Sequence, residues 1–174
     1  TLEKLVLAVK TSFDIKDDLD IISLLSNLRY SQKDSCKYLW SLNSNMIFFG
    51  ASPERLLTIR KNNITCDALA GTRDSNFEQL LSSKKDLREH QIVVSYIVSR
   101  LRELALNPYH ENLPNLVKYG HLAHLYTSIE ARSTGISPLS LVEALHPTPA
   151  VAGIPHHASL NWIRVLEPFD RGYY

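Results

Sequence analysis

Phe49-Gly50-Ala51-Ser52-Pro53-Glu54-Arg55-Leu56 closes an apolar run, Met46 to Phe49, with a sharp turn that presents one carboxylate, Glu54. Two readings fit this stretch. A carboxyl held beside Ile47, Phe48 and Phe49 ionises reluctantly, so its pKa rises toward what a general acid needs near neutral pH. Ser52-Pro53-Glu54 also spells a helix start: a serine cap, proline at the first helical position and an acid in the first turn. The rest of the chain decides between them. Cys36 to Leu42 and Met46 to Gly50 read as strands paired around Asn43-Ser44-Asn45. Leu56 to Arg60 and Ile64 to Leu69 read as a second pair around Lys61-Asn62-Asn63. Connections this short make antiparallel sheet.

Outward from these hairpins, Leu5-Val6-Leu7-Ala8-Val9 reads as a strand buried on both faces, with Lys4 at its entry. Asp17 to Tyr30 places Leu19, Ile22, Leu25 and Leu28 at three-residue steps, an amphipathic helix with acids in its first turn. On the other side, Ala70-Gly71-Thr72-Arg73 leaves the last strand. A long helix follows, with Ser83 and Asp86 spaced as a capping box. Leu87, Val94, Ile97, Leu101 and Leu104 form its stripe, and Asn107-Pro108 stops it. Leu116 to Ile129 is extended, interrupted by His121, His124 and Tyr126. Ser137-Pro138 starts a helix through Ala144, His146-Pro147-Thr148-Pro149 breaks it, and a last helix runs from His157 to Leu166. The class is α+β, antiparallel sheets packed against outer helices.

The chain has 174 residues and 44% apolar content, enough for one domain or a large part of one. Its 19 basic and 18 acidic residues leave a net charge of +1. With no run of like charge there is no electrostatic footprint for nucleic acid or an anionic membrane, so a small-molecule or protein partner is expected. Cys36 and Cys66 lack Cys-x-x-Cys spacing, which disfavours a zinc site or disulfide scaffold and fits reduced cytosol or stroma. Both read as packing residues. No apolar run is long enough to cross a bilayer.

Several residues carry possible chemistry. Glu89 lies beside the long helix's stripe, with Ile92 and Val93 as its three- and four-residue neighbours. Spacing alone suits a solvated helix acid as well as a ligand. If it holds a metal, Mg2+ is the candidate, because that ion takes oxygen ligands and needs only one or two protein carboxylates beside an anionic substrate. Lys4 reads as a surface lysine snorkelling from the sheet, or as a base if its ammonium is desolvated. His121 and His124 are poorly spaced for zinc on a strand, and one packed histidine making a hydrogen bond fits better. The loop His146-Pro147-Thr148-Pro149-Ala150-Val151-Ala152-Gly153-Ile154-Pro155-His156 is rigid. It serves either as a connector or as a means of bringing backbone N–H groups to a carboxylate-bearing ligand.

In order, Lys4-Leu5-Val6-Leu7-Ala8, the Ser-Pro-Glu turn at Glu54, Leu69-Ala70-Gly71-Thr72-Arg73, Lys85-Asp86 through Glu89-His90, His124-Leu125, the Pro-Thr-Pro-Ala loop and Glu167-Pro168-Phe169-Asp170-Arg171-Gly172 resemble the chorismate-utilising enzyme family. That family includes anthranilate, aminodeoxychorismate, isochorismate and salicylate synthases, and the likeness covers essentially the whole chain. It implies the chorismate-binding fold of the anthranilate synthase component I type, incomplete at both ends, with residues 1–174 a partial chorismate-binding domain. Family members that add water at C2 of chorismate carry lysine at the Lys4 position. The resemblance therefore implies Lys4 as the base that deprotonates water and Glu54 as the acid that protonates the departing C4 hydroxyl. It implies Glu89 as a Mg2+ ligand, and Gly71, Thr72, His124, Gly153 and Tyr174 as substrate-site residues.

The Pro-Thr-Pro-Ala loop resembles isochorismate and salicylate synthases, and Arg55 after Glu54 resembles the quinone-pathway type. The implied activity is isochorismate synthase, with salicylate synthase or a non-catalytic chorismate-fold paralogue as the alternatives. A water-using enzyme implies no glutamine amidotransferase subunit, and the setting implied is cytoplasm or plastid stroma. The family's N-terminal half and the acidic turn that supplies a second Mg2+ carboxylate have no counterpart here, so the resemblance implies a piece of a longer enzyme, inactive in isolation.

Overall fold

The central sheet is antiparallel, in the order β4 (Thr58–Arg60), β5 (Asn63–Arg73), β7 (Leu122–Arg132), β6 (Asn115–Tyr119). This computed structural model describes residues 1–16, 18–43, 46–133 and 135–173. Strand β5 alternates so that Ile64, Cys66, Ala68 and Ala70 face the core. Three of these are small, which lets a helix lie close. That helix is α2 (Lys84–Glu103), whose Val93, Val94, Ile97 and Leu101 join them together with Ile129, Leu141 and Leu145. Leu141 and Leu145 come from α3 (Pro138–Leu145), which starts with proline in its first turn, as its sequence predicts.

Ser83 caps α2 by accepting from the Asp86 N–H at 3.2 Å. The helix stops at Glu103, short of Asn107-Pro108, because Ala105 turns left-handed with φ 59°. Leu106 N–H then reaches Leu101 O at 3.1 Å, and Ala105 N–H reaches Arg102 O at 2.9 Å. This is a Schellman ending built on alanine.

The hairpin β2 (Cys36–Asn43) and β3 (Met46–Ser52) forms a separate two-stranded sheet, with Trp40 opposite Phe48 and Tyr38 opposite Gly50. A further pair joins the two ends of the chain: β1 (Lys4–Leu5) runs antiparallel to β8 (Gly153–Ile154), just ahead of α4 (His156–Leu166).

Five expectations are corrected. The run Leu5 to Val9 is not a doubly buried strand: Leu7 is 47% and Val9 91% exposed. Among the described residues only β8 pairs with β1, and past Leu5 the run is half-buried at Val6 and Ala8 but exposed at Leu7 and Val9. Helix α1 (Ile21–Ser31) is capped by Asp20 and half-buries Ile21, Leu24, Leu25 and Leu28, while Ile22 is 73% exposed. No helix starts at Ser52, which ends β3. Ala70 to Arg73 remains in β5, with a bulge between Ala70 and Thr72 at Gly71, φ 76°. Cys36 is exposed, so only Cys66 is a packing residue.

Asp17, Ser44, Asn45 and Tyr174, each part of an expectation above, lie outside the described residues. Among the described residues no helix is long and apolar enough to cross a membrane.

Candidate active site

A cleft of about 820 Å3 opens where β1, the end of β3, the Gly71 bulge, α2 and the 146–152 loop converge. Lys4, Glu54, Gly71, Thr72, Glu89 and His124 all line it. Of the expected site residues, Gly153 stands apart, one residue beyond the cleft wall at Ala152. It packs on the backbone that carries the lysine: a Cβ there would sit 2.2 Å from Lys4 O and 2.8 Å from Ser159 Cβ, and its φ is 153°. Only glycine permits that approach.

Pairing with β8 delivers the Lys4 side chain, 9% exposed, to within 3.2 Å of Glu89 Oε1. Burial lowers the Lys4 pKa, and the neighbouring charges of Glu89 and Glu54 oppose that without reversing it. Glu54, half-buried just after β3, moves the other way. Desolvation pushes its pKa from 4.5 up to about 7, with Lys4 pulling it down and Asp67 adding a smaller upward push. Asp67 is engaged by Arg55 at 2.8 Å and by the Tyr126 hydroxyl at 3.1 Å. The hydrophobic neighbours expected around Glu54 are less enclosing than their sequence suggests, since Ile47 is 37% exposed.

The Gly71 bulge shifts the β5–β7 register so that Thr72 pairs with His124. Thr72 Oγ1 and His124 Nδ1 share a hydrogen bond of 2.8 Å, and burial lowers the pKa of that imidazole. His124 is thus the packed, hydrogen-bonded histidine, while His121 falls at the β6–β7 turn.

Glu89 is the cleft-facing carboxylate of α2. Asp86, one turn earlier, is buried and engaged by Arg73 at 3.1 Å. One carboxylate beside an anionic ligand suits Mg2+, which keeps several waters. Among the described residues no group of three or more His, Cys, Asp or Glu side chains gathers to hold a metal unaided.

Three features escaped the sequence reading. An aromatic wall on the hairpin, Tyr38 and Phe48 with ring centroids 5.2 Å apart, meets Tyr173 5.8 Å from Phe48. Gly50 makes room for it, because a Cβ there would meet Tyr38 Oη at 2.6 Å. Strand alternation of Tyr38 with Trp40 is the available signal. Behind the cleft, His90 is 2% exposed, with Nε2 2.8 Å from Thr127 Oγ1, and burial lowers its pKa to about 4. Its three-residue step to Val93 places it on the buried face of α2. Finally, Arg171 of the Glu167 to Gly172 motif also lines the cleft.

A buried amine whose pKa is lowered and a half-buried carboxyl whose pKa is raised to about 7 thus face one cleft of an α+β scaffold, an arrangement open to general acid–base chemistry. Residues 1–174 match the family described as chorismate binding enzyme, and the chain belongs to that family. The salicylate biosynthesis isochorismate synthase of Pseudomonas aeruginosa is 39% identical, over 98% of this chain and 38% of that protein. Isochorismate synthase MenF of Haemophilus influenzae is 31% identical, over 99% of this chain and 42% of its own length. The crystal structure of DhbC from Bacillus anthracis superimposes with a TM-score of 0.83 and 32% identity, covering 90% of this chain and 46% of that one. The chain therefore spans less than half the length of these proteins.

Proposed function

We propose that this protein is an isochorismate synthase, carrying water to C2 of chorismate with loss of the C4 hydroxyl. The observation that carries the reading is the placement of Lys4 and Glu54 on one cleft, with their pKa values displaced toward each other. In the reaction, the neutral Lys4 amine takes a proton from water as the water oxygen bonds to C2. The ring double bonds shift, the C4–O bond breaks, and Glu54 gives its proton so that the oxygen leaves as water. Glu89 is the residue that would hold Mg2+, which when bound supplies positive charge to the substrate's ring carboxylate. Glu89 also keeps the Lys4 side chain turned into the cleft. Thr72, His124 and the bulge at Gly71 form the polar wall against the ligand, and the aromatic wall excludes water from the ring.

Water as nucleophile calls for no ammonia-delivering subunit. Arg55 after Glu54 favours service to a quinone pathway. The test is incubation of the full-length protein with chorismate and Mg2+, followed by separation of isochorismate, salicylate and pyruvate. Isochorismate without pyruvate is the expected result. Pyruvate release would make it a salicylate synthase, and recovery of unchanged chorismate would refute an enzymatic role.

A further inference from the structure

We infer that Glu167 and Arg171 form a positioning pair that fixes where the Lys4 amine stands by tying the segment after it to the loop that leads into β8. The inference rests on the proposed acid–base role of Lys4. The two side chains are 3% and 18% exposed, and one edge of the guanidinium meets both carboxylate oxygens, Nε donating to Oε2 at 2.7 Å and Nη2 to Oε1. An ion pair that only joined the end of α4 to the next turn would stop there. This one goes further. Arg171 Nη2 also donates to Val6 O at 3.0 Å, Nη1 donates to Val151 O at 2.8 Å, and Glu167 Oε1 accepts the Ala8 N–H at 2.7 Å. Its partners therefore sit on the segment that continues from Lys4 and on the loop that leads into β8.

The need for such a tie follows from β1. That strand is two residues long, and among the described residues only β8 pairs with it. Beyond Leu5 its backbone is held by the Val6 N–H on Ala152 O at 2.8 Å and then by the Glu167–Arg171 pair. Lys4 lies two residues before Val6, so a shift of that backbone moves the amine directly. Lysine at position 171 would keep the charge but lose the planar fork that addresses two backbone carbonyls and a carboxylate together.

The test uses Arg171→Lys and Glu167→Gln in the full-length protein, with two readouts. Without substrate, amide hydrogen exchange at Val6, Ala8 and Ala152 should rise together by about tenfold or more in both variants, while Val93 to Leu101 of α2 keep wild-type protection. With chorismate, kcat for isochorismate should fall about 10- to 100-fold while KM changes less than about threefold, as expected for a displaced base. Unchanged exchange at Val6 and Ala8 would overturn the inference, and so would loosening that extends through α2. Faster exchange with an unchanged kcat would equally show that the pair does not position Lys4. If the wild-type protein makes no isochorismate, the proposed function fails on that result alone, and exchange still decides whether the pair couples strand to loop.

Discussion

Replacing Glu54 by Gln keeps the volume of the side chain and removes one titrating proton, so the variant isolates what burial does to this carboxyl. The folded protein raises it from 4.5 to about 7, chiefly by desolvation. Below pH 4.5 the folded and unfolded chains both hold the proton, and the group costs nothing. Between 4.5 and about 7 the unfolded chain ionises first, so the stability present at low pH is lost as pH rises. Above about 7 both states are ionised and the penalty stays constant. The full gap corresponds to about 3 kcal/mol, and partial exposure of the side chain reduces the expected effect to about 1–3 kcal/mol. The Gln variant carries no such term. Urea denaturation of both proteins from about pH 4 to about pH 9 should show the variant gaining about 1–3 kcal/mol on the wild type up to about pH 7.5, then running parallel to it. A difference that stays flat with pH would mean the carboxyl titrates in its ordinary range, one that falls would mean it ionises below that range, and either would refute Glu54 as the acid. In turnover the same variant should lose about 100- to 10,000-fold in kcat with little change in KM.

Lys4→Gln should reduce isochorismate formation by at least about 100-fold in a coupled product assay. Because Lys4 pulls the Glu54 pKa down, carboxyl-carbon NMR of the same variant should find Glu54 titrating above its wild-type value. Gly153→Ala, which drives a Cβ into Lys4 O, should cost about 2–4 kcal/mol by thermal unfolding and depress activity further than its residual folded fraction explains. Ala105→Gly relieves the left-handed residue that ends α2 and should stabilise by about 0.5–1 kcal/mol in denaturant melts. Chelation with EDTA should abolish turnover and added Mg2+ restore it, with Glu89→Gln requiring more of the ion; turnover indifferent to chelation would remove the metal from the proposal.

The parts of the fold legible in sequence are those in which one element fixes its own environment. Helix α2 lies over a sheet of small side chains, so its 3.6-residue period and Ser83 cap survive, as do the strand pairings of the two hairpins. Leu5 to Val9 shows the opposite case. An apolar run records that it would bury well, whereas burial depends on neighbours, and among the described residues only Gly153 and Ile154 pair beside Lys4 and Leu5. Family likeness led to Lys4, Glu54, Thr72, Glu89 and His124, all of which meet at one cleft. It also led to Gly153, whose place is against Lys4's own backbone. Glycines required for a ligand and glycines required for a close backbone approach are indistinguishable in a string of letters. The aromatic wall was hidden for a related reason: Tyr38 and Phe48 look like ordinary strand residues until Gly50 is seen to vacate the space that one ring fills.

The bonds that close the cleft join residues separated by 159 and 165 positions, whereas the core under α2 is built largely from nearer neighbours. Contacts between such distant residues repay their loop-closure entropy only after the intervening chain is ordered, so the cleft should be the last part to assemble and the first to come apart. Brief protease treatment should accordingly sever the segment after Leu5 while the sheet and its long helix remain folded.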